Sequence, residues 1–364
     1  MNSLPLRAGW THRAAPVAFL LSLCQFAGCA ETNAPLPDPQ EVLLVVNRTA
    51  NTLTIVPVDE PTSMRQVSLG GSGATPAGVS ARRAIAIVPL GAVGAVAVVD
   101  LREAVLLRRI PLAANSGATG SAIVDDSIAY VANPNLNTVS RVNYRTGEIS
   151  DIQVGRYPQG VAFVRGRVFV LNGNLDETGV PAGPSWLTVI EPTTNTRAAA
   201  PDSIPLTGPG NAAFADVGGD GLLYIMSRGG LQEGEGRLSI VDPVARTELA
   251  SFSGFGLAPG NLASDRDSRV FVSSVTEGLL EFNADSNTVV RGAEEGVPIP
   301  GNTSVAVDSR RRVYAIESGP CTGNQPGRAH ILTPALEEVG TIVLGGCPVA
   351  TAVVEVPGEG MPEE

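Results

Sequence analysis

The sequence contains no lysine. All 25 of its Lys and Arg residues are arginines, and they face 36 Asp and Glu residues, for a formal net charge of −11. A chain without lysine cannot form a Schiff base through a side-chain amine and cannot supply a phosphate-loop lysine. Nucleic-acid binding needs a basic face that displaces counterions from phosphates, so we expect no nucleic-acid partner.

Histidine, cysteine and aromatic residues are also scarce. There are 2 histidines, 4 cysteines and 4% aromatic residues, and His330 is the one histidine beyond the first thirty residues. A multi-histidine metal site is therefore excluded, and a Ser-His-Asp triad would depend on His330 alone. The hydrophobic share of 43% with 17% charged residues is still typical of a folded globular chain.

The amino terminus has the pattern of an export signal. Arg7 and Arg13 precede an apolar segment, Ala14 to Phe26, that is too short to span a bilayer comfortably. The following Phe26-Ala27-Gly28-Cys29 resembles the bacterial lipobox, which implies a signal peptide over 1–28 and lipidation of Cys29. The alternative is an ordinary signal peptide with an incidental cysteine.

Residues 29–41 are rich in proline and have no apolar period, so we interpret them as a tether. The lipobox resemblance implies an exported protein anchored by lipid to the cell envelope, because several acyl chains hold a soluble domain stably. Ala30 directly follows Cys29, and by the usual sorting rule a residue other than Asp there favours the outer membrane. The chain would then lie on its periplasmic face or on the cell surface.

Internal repeats decide the predicted fold. A short β-rich segment recurs seven times, with successive starts 41, 45, 39, 55, 47 and 43 residues apart, the period of a four-stranded propeller blade. The segments begin at Leu44, Ile85, Tyr130, Phe169, Tyr224, Phe271 and Tyr314.

One repeat, residues 126–164, resembles the YVTN family of bacterial β-propellers. Tyr130-Val131-Ala132-Asn133 stands at that family's name motif, and Asn137-Thr138-Val139-Ser140 and Pro158-Gln159-Gly160-Val161-Ala162 match its next two blocks. Later corners, such as Pro259-Gly260-Asn261, are similar to NHL and gluconolactonase-like propellers. Both resemblances imply an all-β propeller.

The phase of the repeats predicts how the ring closes. With strands A to D counted outward from the central channel, the domain 42–356 begins in a B strand and ends in an A strand, Thr351 to Glu355. The last strand should therefore join the first blade of a seven-bladed propeller, which removes the open sheet edge. The acidic residues 357–364 are expected to be a disordered tail.

Three Pro-Gly-Asn corners are the main candidate site. They end in Asn211, Asn261 and Asn302 at what the repeats indicate are equivalent D–A corners, on the same face as the long B–C loops. With Glu317, which ends a B strand, these side chains could hold a cation or a polar ligand at the channel mouth. The alternative is that each Gly-Asn simply forms a favourable turn.

The two remaining cysteines, Cys321 and Cys347, map to one face of blade 7, so in an oxidising compartment we expect a disulfide between them. A redox pair is the rival interpretation, but the Cys-x-x-Cys spacing is missing. His330 maps to strand C, between blades or at the surface, and is interpreted as structural.

Two functions remain open. The first is a monomeric binding or scaffolding propeller with no cofactor, whose partner is an envelope protein, a peptide or a polymer, and which touches the membrane through its lipid anchor alone. The second is a lactonase-type or other hydrolytic propeller using a divalent cation. The resembling hydrolases use a Glu, Asn and Asp set for that metal, and the complete set has no match here, so we favour the binding protein over the enzyme.

The lipobox predicts that cells will label this protein with palmitate and that its mature chain will begin at Cys29, since the acylated cysteine becomes the first residue. Metabolic labelling and sequencing of the mature amino terminus measure this. An unlabelled protein, or a different mature terminus, would contradict the lipoprotein interpretation.

Overall fold

The computed structural model describes residues 39–71, 73–323 and 325–358. The predicted signal peptide, Cys29 and most of the predicted tether lie outside the described residues, as do residues 359–364 of the predicted tail. In the described part, no helix has the length and apolarity needed to cross a membrane.

Successive strands form seven antiparallel sheets, and each sheet is one blade of a β-propeller. Short hairpins connect neighbouring strands, with 3-10 turns at Pro61–Ser63 and Pro134–Leu136. The strands of the first three blades are β1 (Gln40–Asn47), β2 (Thr52–Pro57), β3 (Arg65–Ser68), β4 (Ser80–Arg82), β5 (Ile85–Leu90), β6 (Ala95–Asp100), β7 (Val105–Pro111), β8 (Ser121–Ile123), β9 (Ile128–Asn133), β10 (Thr138–Asn143) and β11 (Ile149–Gln153).

Blade 4 is longer than the others because its outer strand is split into two short pieces, β15 and β16. This split and a long B–C loop account for the 55-residue step in the sequence repeat. The strands of blades 4 and 5 are β12 (Pro158–Val164), β13 (Arg167–Asn172), β14 (Trp186–Glu191), β15 (Thr196–Arg197), β16 (Ser203–Pro205), β17 (Ala212–Val217), β18 (Leu223–Ser227), β19 (Arg237–Asp242) and β20 (Thr247–Phe252).

The last two blades are regular, and the chain ends its fold with a strand that belongs to blade 1. These strands are β21 (Pro259–Ser264), β22 (Arg269–Ser274), β23 (Gly278–Asn283), β24 (Thr288–Arg291), β25 (Asn302–Val307), β26 (Val313–Glu317), β27 (Pro326–Leu332), β28 (Glu338–Gly346) and β29 (Pro348–Val356).

The hydrophobic core is divided among the interfaces between blades. Side chains alternate across a strand, so Leu43 and Val45 of β1 pack toward blade 7, whereas Leu44 and Val46 pack toward blade 2. Each B strand is thus buried on both faces, which explains its nearly continuous apolar sequence. The same division recurs around the ring, with one apolar cluster for each pair of neighbouring blades.

The seven predicted segments all lie in B strands, as the repeat indicated, but blade 2 is out of phase. Leu90 pairs with Ala95 at the end of strand B in blade 2, and Asn47 pairs with Thr52 at the same place in blade 1. Counting three residues back from each end, the blade 2 equivalent of Leu44 is Ile87 rather than Ile85. A shift of two residues preserves the alternation of faces, so hydrophobic periodicity alone could not detect it.

The predicted ring closure is confirmed. Strand β29 pairs with β1 antiparallel, with Val354 opposite Val42 and Thr351 opposite Val45. The ladder continues to Gln40 opposite Val356, so β1 begins two residues before the predicted Val42. Every blade then has an inner strand, and the sheet edge that would remain at the chain ends is covered.

The predicted disulfide is also confirmed. Cys321 lies in the B–C loop of blade 7, Cys347 lies in the corner between β28 and β29, and their Cα atoms are 4.5 Å apart. The bond joins residues 26 apart in sequence and fixes that loop beside the strand that closes the ring.

Reduction of this disulfide should destabilise the propeller. A closed loop of this length contributes about 3 kcal/mol by restricting the unfolded chain, so the midpoint of urea unfolding should fall when reductant is added. The variant Cys321→Ser/Cys347→Ser should match the reduced protein and no longer respond to reductant. Equal midpoints for the oxidised and reduced protein would contradict this.

Candidate functional site

The ends of the B strands and the starts of the A strands lie on one face of the ring, here named the mouth face. The three longest B–C loops, those of blades 4, 5 and 7, project from it between β13 and β14, between β18 and β19, and between β26 and β27. Loops held by a rigid scaffold are the usual place for binding residues.

A cavity of about 270 Å³, here named the mouth cavity, occupies the channel at this face. Its wall consists mainly of small side chains at the starts of A strands, with Phe214 as its one aromatic residue. The lining residues are Arg48, Ala77, Gly78, Val79, Thr119, Gly120, Ser121, Gln159, Gly160, Val161, Ala213, Phe214, Ala215, Arg228, Asn261, Val349, Ala350 and Thr351.

The lining is small because neighbouring A strands approach closely. A Cβ atom added at Gly160 would lie 2.6 Å from the carbonyl oxygen of Ala213, and one added at Gly120 would lie 2.4 Å from that of Gln159. Each A strand also ends its sheet, so its inner edge faces the channel without a further strand to pair with. The wall therefore offers backbone polar groups to whatever enters.

The charged residues of the mouth cavity are two arginines, Arg48 and Arg228. Arg228 is half-buried, whereas Arg48 keeps exposed surface because it also borders a wider groove beside Thr49 and Gly70. Burial lowers the pKa of both guanidinium groups. Sequence reasoning missed this pair, although each arginine directly follows the last residue of a repeated B strand.

The three predicted asparagines are not equivalent in the structure. Asn302 lies opposite Glu317, the last residue of its B strand. The residue at that position is Ala212 in blade 5 and Pro259 in blade 6. Asn211 therefore lies one residue before this position, and Asn261 lies two residues after it. A β-bulge at each of these strand starts changes the phase, which the shared Pro-Gly-Asn letters conceal.

The asparagine side chains also bind different partners. Asn211 donates to the carbonyl oxygen of Gly229 at 2.8 Å and accepts from Gln159 at 2.8 Å. Asn302 is buried, donating to Gly278 O at 2.9 Å and accepting from Ile316 N at 3.1 Å.

Asn261 alone of the three lines the mouth cavity. Its amide donates to Ser304 Oγ at 2.9 Å, and its oxygen accepts from Leu262 N at 2.8 Å. The structure therefore does not bring the three amide oxygens to a common point.

Glu317 is directed into its own blade. Its Oε2 lies 3.1 Å from His330 Nε2 and 3.6 Å from Arg328 Nη1, and Glu338 Oε2 lies 3.2 Å from His330 Nδ1. His330 lies on β27, the C strand of blade 7, with 12% of its side chain exposed.

The Glu317–His330 pair occupies a place that other blades fill with an amide and a hydroxyl. Asn47 donates to Thr54 at 2.8 Å in blade 1, and Asn133 donates to Ser140 at 2.8 Å in blade 3. This register supports a structural role for His330. Among the described residues, no three His, Cys, Asp or Glu side chains are grouped so as to hold a metal ion.

One carboxylate does lie in the channel wall. Asp216 on β17 pairs with Tyr224, and at the corresponding register the other A strands carry small residues: Ser80, Ala122, Ala162, Ala263, Ala306 and Ala352. Asp216 Oδ2 accepts from Ser264 N at 2.7 Å and so joins the A strands of blades 5 and 6. Burial raises the pKa of this carboxyl group.

Because its pKa is raised on folding, Asp216 should stabilise the native state most when protonated, and that stability is lost as pH rises through the folded pKa. Asp216→Asn keeps an acceptor for Ser264 N without the buried charge. It should raise the free energy of unfolding at pH 7 by on the order of 1 kcal/mol. The gain should shrink as pH falls toward the ordinary Asp value of 3.8.

Chemical unfolding of both proteins between pH 4 and 8 measures this difference. Asp285→Asn changes the net charge equally at an exposed position and is the matched control. A loss of stability at pH 7 in Asp216→Asn, or a gain independent of pH, would contradict the prediction.

No family model matches the sequence, and no curated protein matches it. Among solved structures, the chain is similar to hydrazine synthase of Kuenenia stuttgartiensis, with a TM-score of 0.61 at 12% sequence identity. The alignment covers 78% of this chain and 92% of that chain. At this identity the likeness concerns the fold alone: the chain is a seven-bladed β-propeller closed by its last strand.

Proposed function

We propose that this protein is a binding module of the cell envelope whose partner, an envelope protein, a peptide or a polymer, is held at the mouth face. The observation that carries the proposal is the mouth cavity, a concave and partly polar site on the face from which the longest B–C loops project. Such cavities on rigid scaffolds are the usual binding sites.

The disulfide of blade 7 lies on the mouth face. The Cys321–Cys347 bond holds one B–C loop there, and Arg48 N donates to Cys347 O at 2.8 Å beside it. A loop that is fixed before binding loses less conformational entropy when a ligand arrives, which favours affinity.

The proposed lipid anchor suits this orientation. Strand β1 runs toward the mouth face, so Gln40 lies at the opposite face. A tether from Cys29 that joins the propeller there would leave the mouth face turned away from the membrane.

We also propose that the chain is a YVTN-type propeller, since the three blocks of that resemblance fall on β9, at the start of β10 and on β12.

The contacts favour binding over metal-dependent hydrolysis. The oxygens of Asn211, Asn261 and Asn302 accept hydrogen bonds from separate protein donors, and Glu317 is paired with His330. A metal centre built from these four groups would require them to leave those partners and converge. Within the described residues, we therefore assign none of them a catalytic role.

The proposal predicts that a photo-crosslinking residue at Leu231 will capture an envelope partner in living cells. Leu231 is 47% exposed in the B–C loop of blade 5, beside the mouth cavity residue Arg228. The same residue at Val244, 66% exposed in the C–D turn of the same blade on the opposite face, is the matched control.

A crosslinked product obtained from Leu231 but not from Val244 is expected. Its appearance should also be suppressed by an excess of the same protein carrying no crosslinker, because a specific site is saturable. No product, or equal products from both positions, would overturn the proposed mouth-face binding function.

A further inference from the structure

The residue that directly follows strand B faces the mouth and differs from blade to blade. It is an arginine in blades 1 and 5 and an uncharged residue in the others; around the ring these residues are Arg48, Gly91, Pro134, Gly173, Arg228, Val275 and Ser318. In a ring of seven blades, blades 1 and 5 lie on nearly opposite sides of the channel. Both arginines line the mouth cavity, so two guanidinium groups approach it from opposite sides.

The two arginines are held in the same way. Arg48 Nε donates to Pro76 O at 3.4 Å, and Arg228 Nε donates to Pro259 O at 3.1 Å. The two prolines are themselves equivalent, because each is bridged to the last residue of its B strand. A guanidinium group has five N–H donors, so this single anchor orients each side chain and leaves its other donors for a ligand.

Neither arginine forms a close ion pair with a carboxylate among the described residues, whereas several other arginines of the chain do. Arg167 pairs with Glu191 at 2.6 Å, Arg269 with Glu281 at 2.7 Å, and Arg312 with Asp308 at 2.6 Å. The lining of the mouth cavity contains no Asp or Glu. Two partly desolvated cations with no countercharge are costly to hold, and an anion between them would relieve that cost.

The volume of the cavity and the planar shape of the guanidinium groups limit the kind of anion that can bind. Its volume of about 270 Å³ is at the lower end of the range for ligand sites, where pockets hold about 300 Å³ or more. The planar fork of arginine matches carboxylate and phosphate oxygens and binds them through two parallel hydrogen bonds. The site thus suits one small oxyanion, either as a free molecule or as the end of a longer one.

We propose that Arg48 and Arg228 form an oxyanion-binding site, and that the ligand of this propeller presents a carboxylate or phosphate group to the mouth cavity. The inference deepens the proposed function, since it names the chemistry of the group bound at that face. It also explains why two arginines occupy repeat positions that small or uncharged residues fill elsewhere.

The test is a calorimetric titration of the purified protein with succinate and, separately, with inorganic phosphate, at constant ionic strength set with chloride. Arg48→Gln and Arg228→Gln should each weaken binding about tenfold, the loss of roughly 1.4 kcal/mol expected for one charged hydrogen-bonding partner. Arg48→Lys should retain part of the affinity. Arg108→Gln, which removes the same charge from the exposed outer strand of blade 2, should leave binding unchanged.

A second arm applies the Leu231 crosslink to the same variants in cells. Loss of the crosslinked product in Arg48→Gln and Arg228→Gln, but not in Arg108→Gln, places the oxyanion on the macromolecular partner. If the affinity for succinate or phosphate falls in Arg48→Gln and Arg228→Gln, the titration places the oxyanion on a free small molecule. The inference is overturned if neither arm depends on Arg48 or Arg228, whereas absence of the wild-type crosslink bears on the proposed function alone.

Discussion

The antiparallel pairing of β29 with β1 is the interaction on which the rest of the molecule depends. It gives blade 1 its inner strand and so completes the wall of the channel. It also positions the mouth. Arg48 directly follows β1, Cys347 directly precedes β29, and Arg48 N donates to the carbonyl oxygen of Cys347 at 2.8 Å. Ring closure, the disulfide and one of the two mouth arginines therefore form one contiguous unit.

The division of the core among the blade interfaces explains why the mouth is free to vary. Each B strand must bury both of its faces, as Leu43 and Leu44 do toward opposite neighbours, and this fixes its apolar character. The residue after strand B lies outside all seven apolar clusters, so the core between the blades does not fix its identity. Local contacts still limit it in some blades: Gly173 is buried, and a Cβ atom added there would lie 2.4 Å from Gln159 Nε2.

The sequence was sufficient for those features that depend on a period or on topology. The blade repeat, the phase of the chain ends and the Cys321–Cys347 bond all follow from where strands begin and end. It was insufficient where one or two residues of register matter. The blade 2 segment is displaced by two residues, and the Pro-Gly-Asn corners occupy three different positions because bulges absorb the difference. Sequence patterns could not identify Arg48 and Arg228. What sets them apart is that they line one cavity without a carboxylate partner among the described residues, and this is visible only once the side chains are placed.

Two carboxylates of the mouth face accept hydrogen bonds from donors other than the two arginines. Glu277 accepts from Leu257 N at 2.8 Å and from the Thr276 hydroxyl at 2.5 Å, and Glu235 accepts from Gly230 N at 2.6 Å. Glu235 is thus held within its own B–C loop, whereas Glu277 joins its loop to the corner that precedes blade 6. Glu317 ends a B strand, one residue before the position that Arg48 and Arg228 occupy in other blades, and so lies close to the same level of the ring.

His330 and Arg328 hold Glu317 within blade 7 instead, at 3.1 Å and 3.6 Å. The histidine takes the register position that Thr54 and Ser140 occupy in blades 1 and 3, and so extends a polar pairing already present in the repeat. His330, which the sequence position indicates to be structural, and Glu317, a candidate ligand of the channel mouth, thus contact each other in the wall of one blade. The contact holds Glu317 within its own blade, so the charged residues that line the mouth cavity are Arg48 and Arg228, although the chain as a whole is strongly acidic.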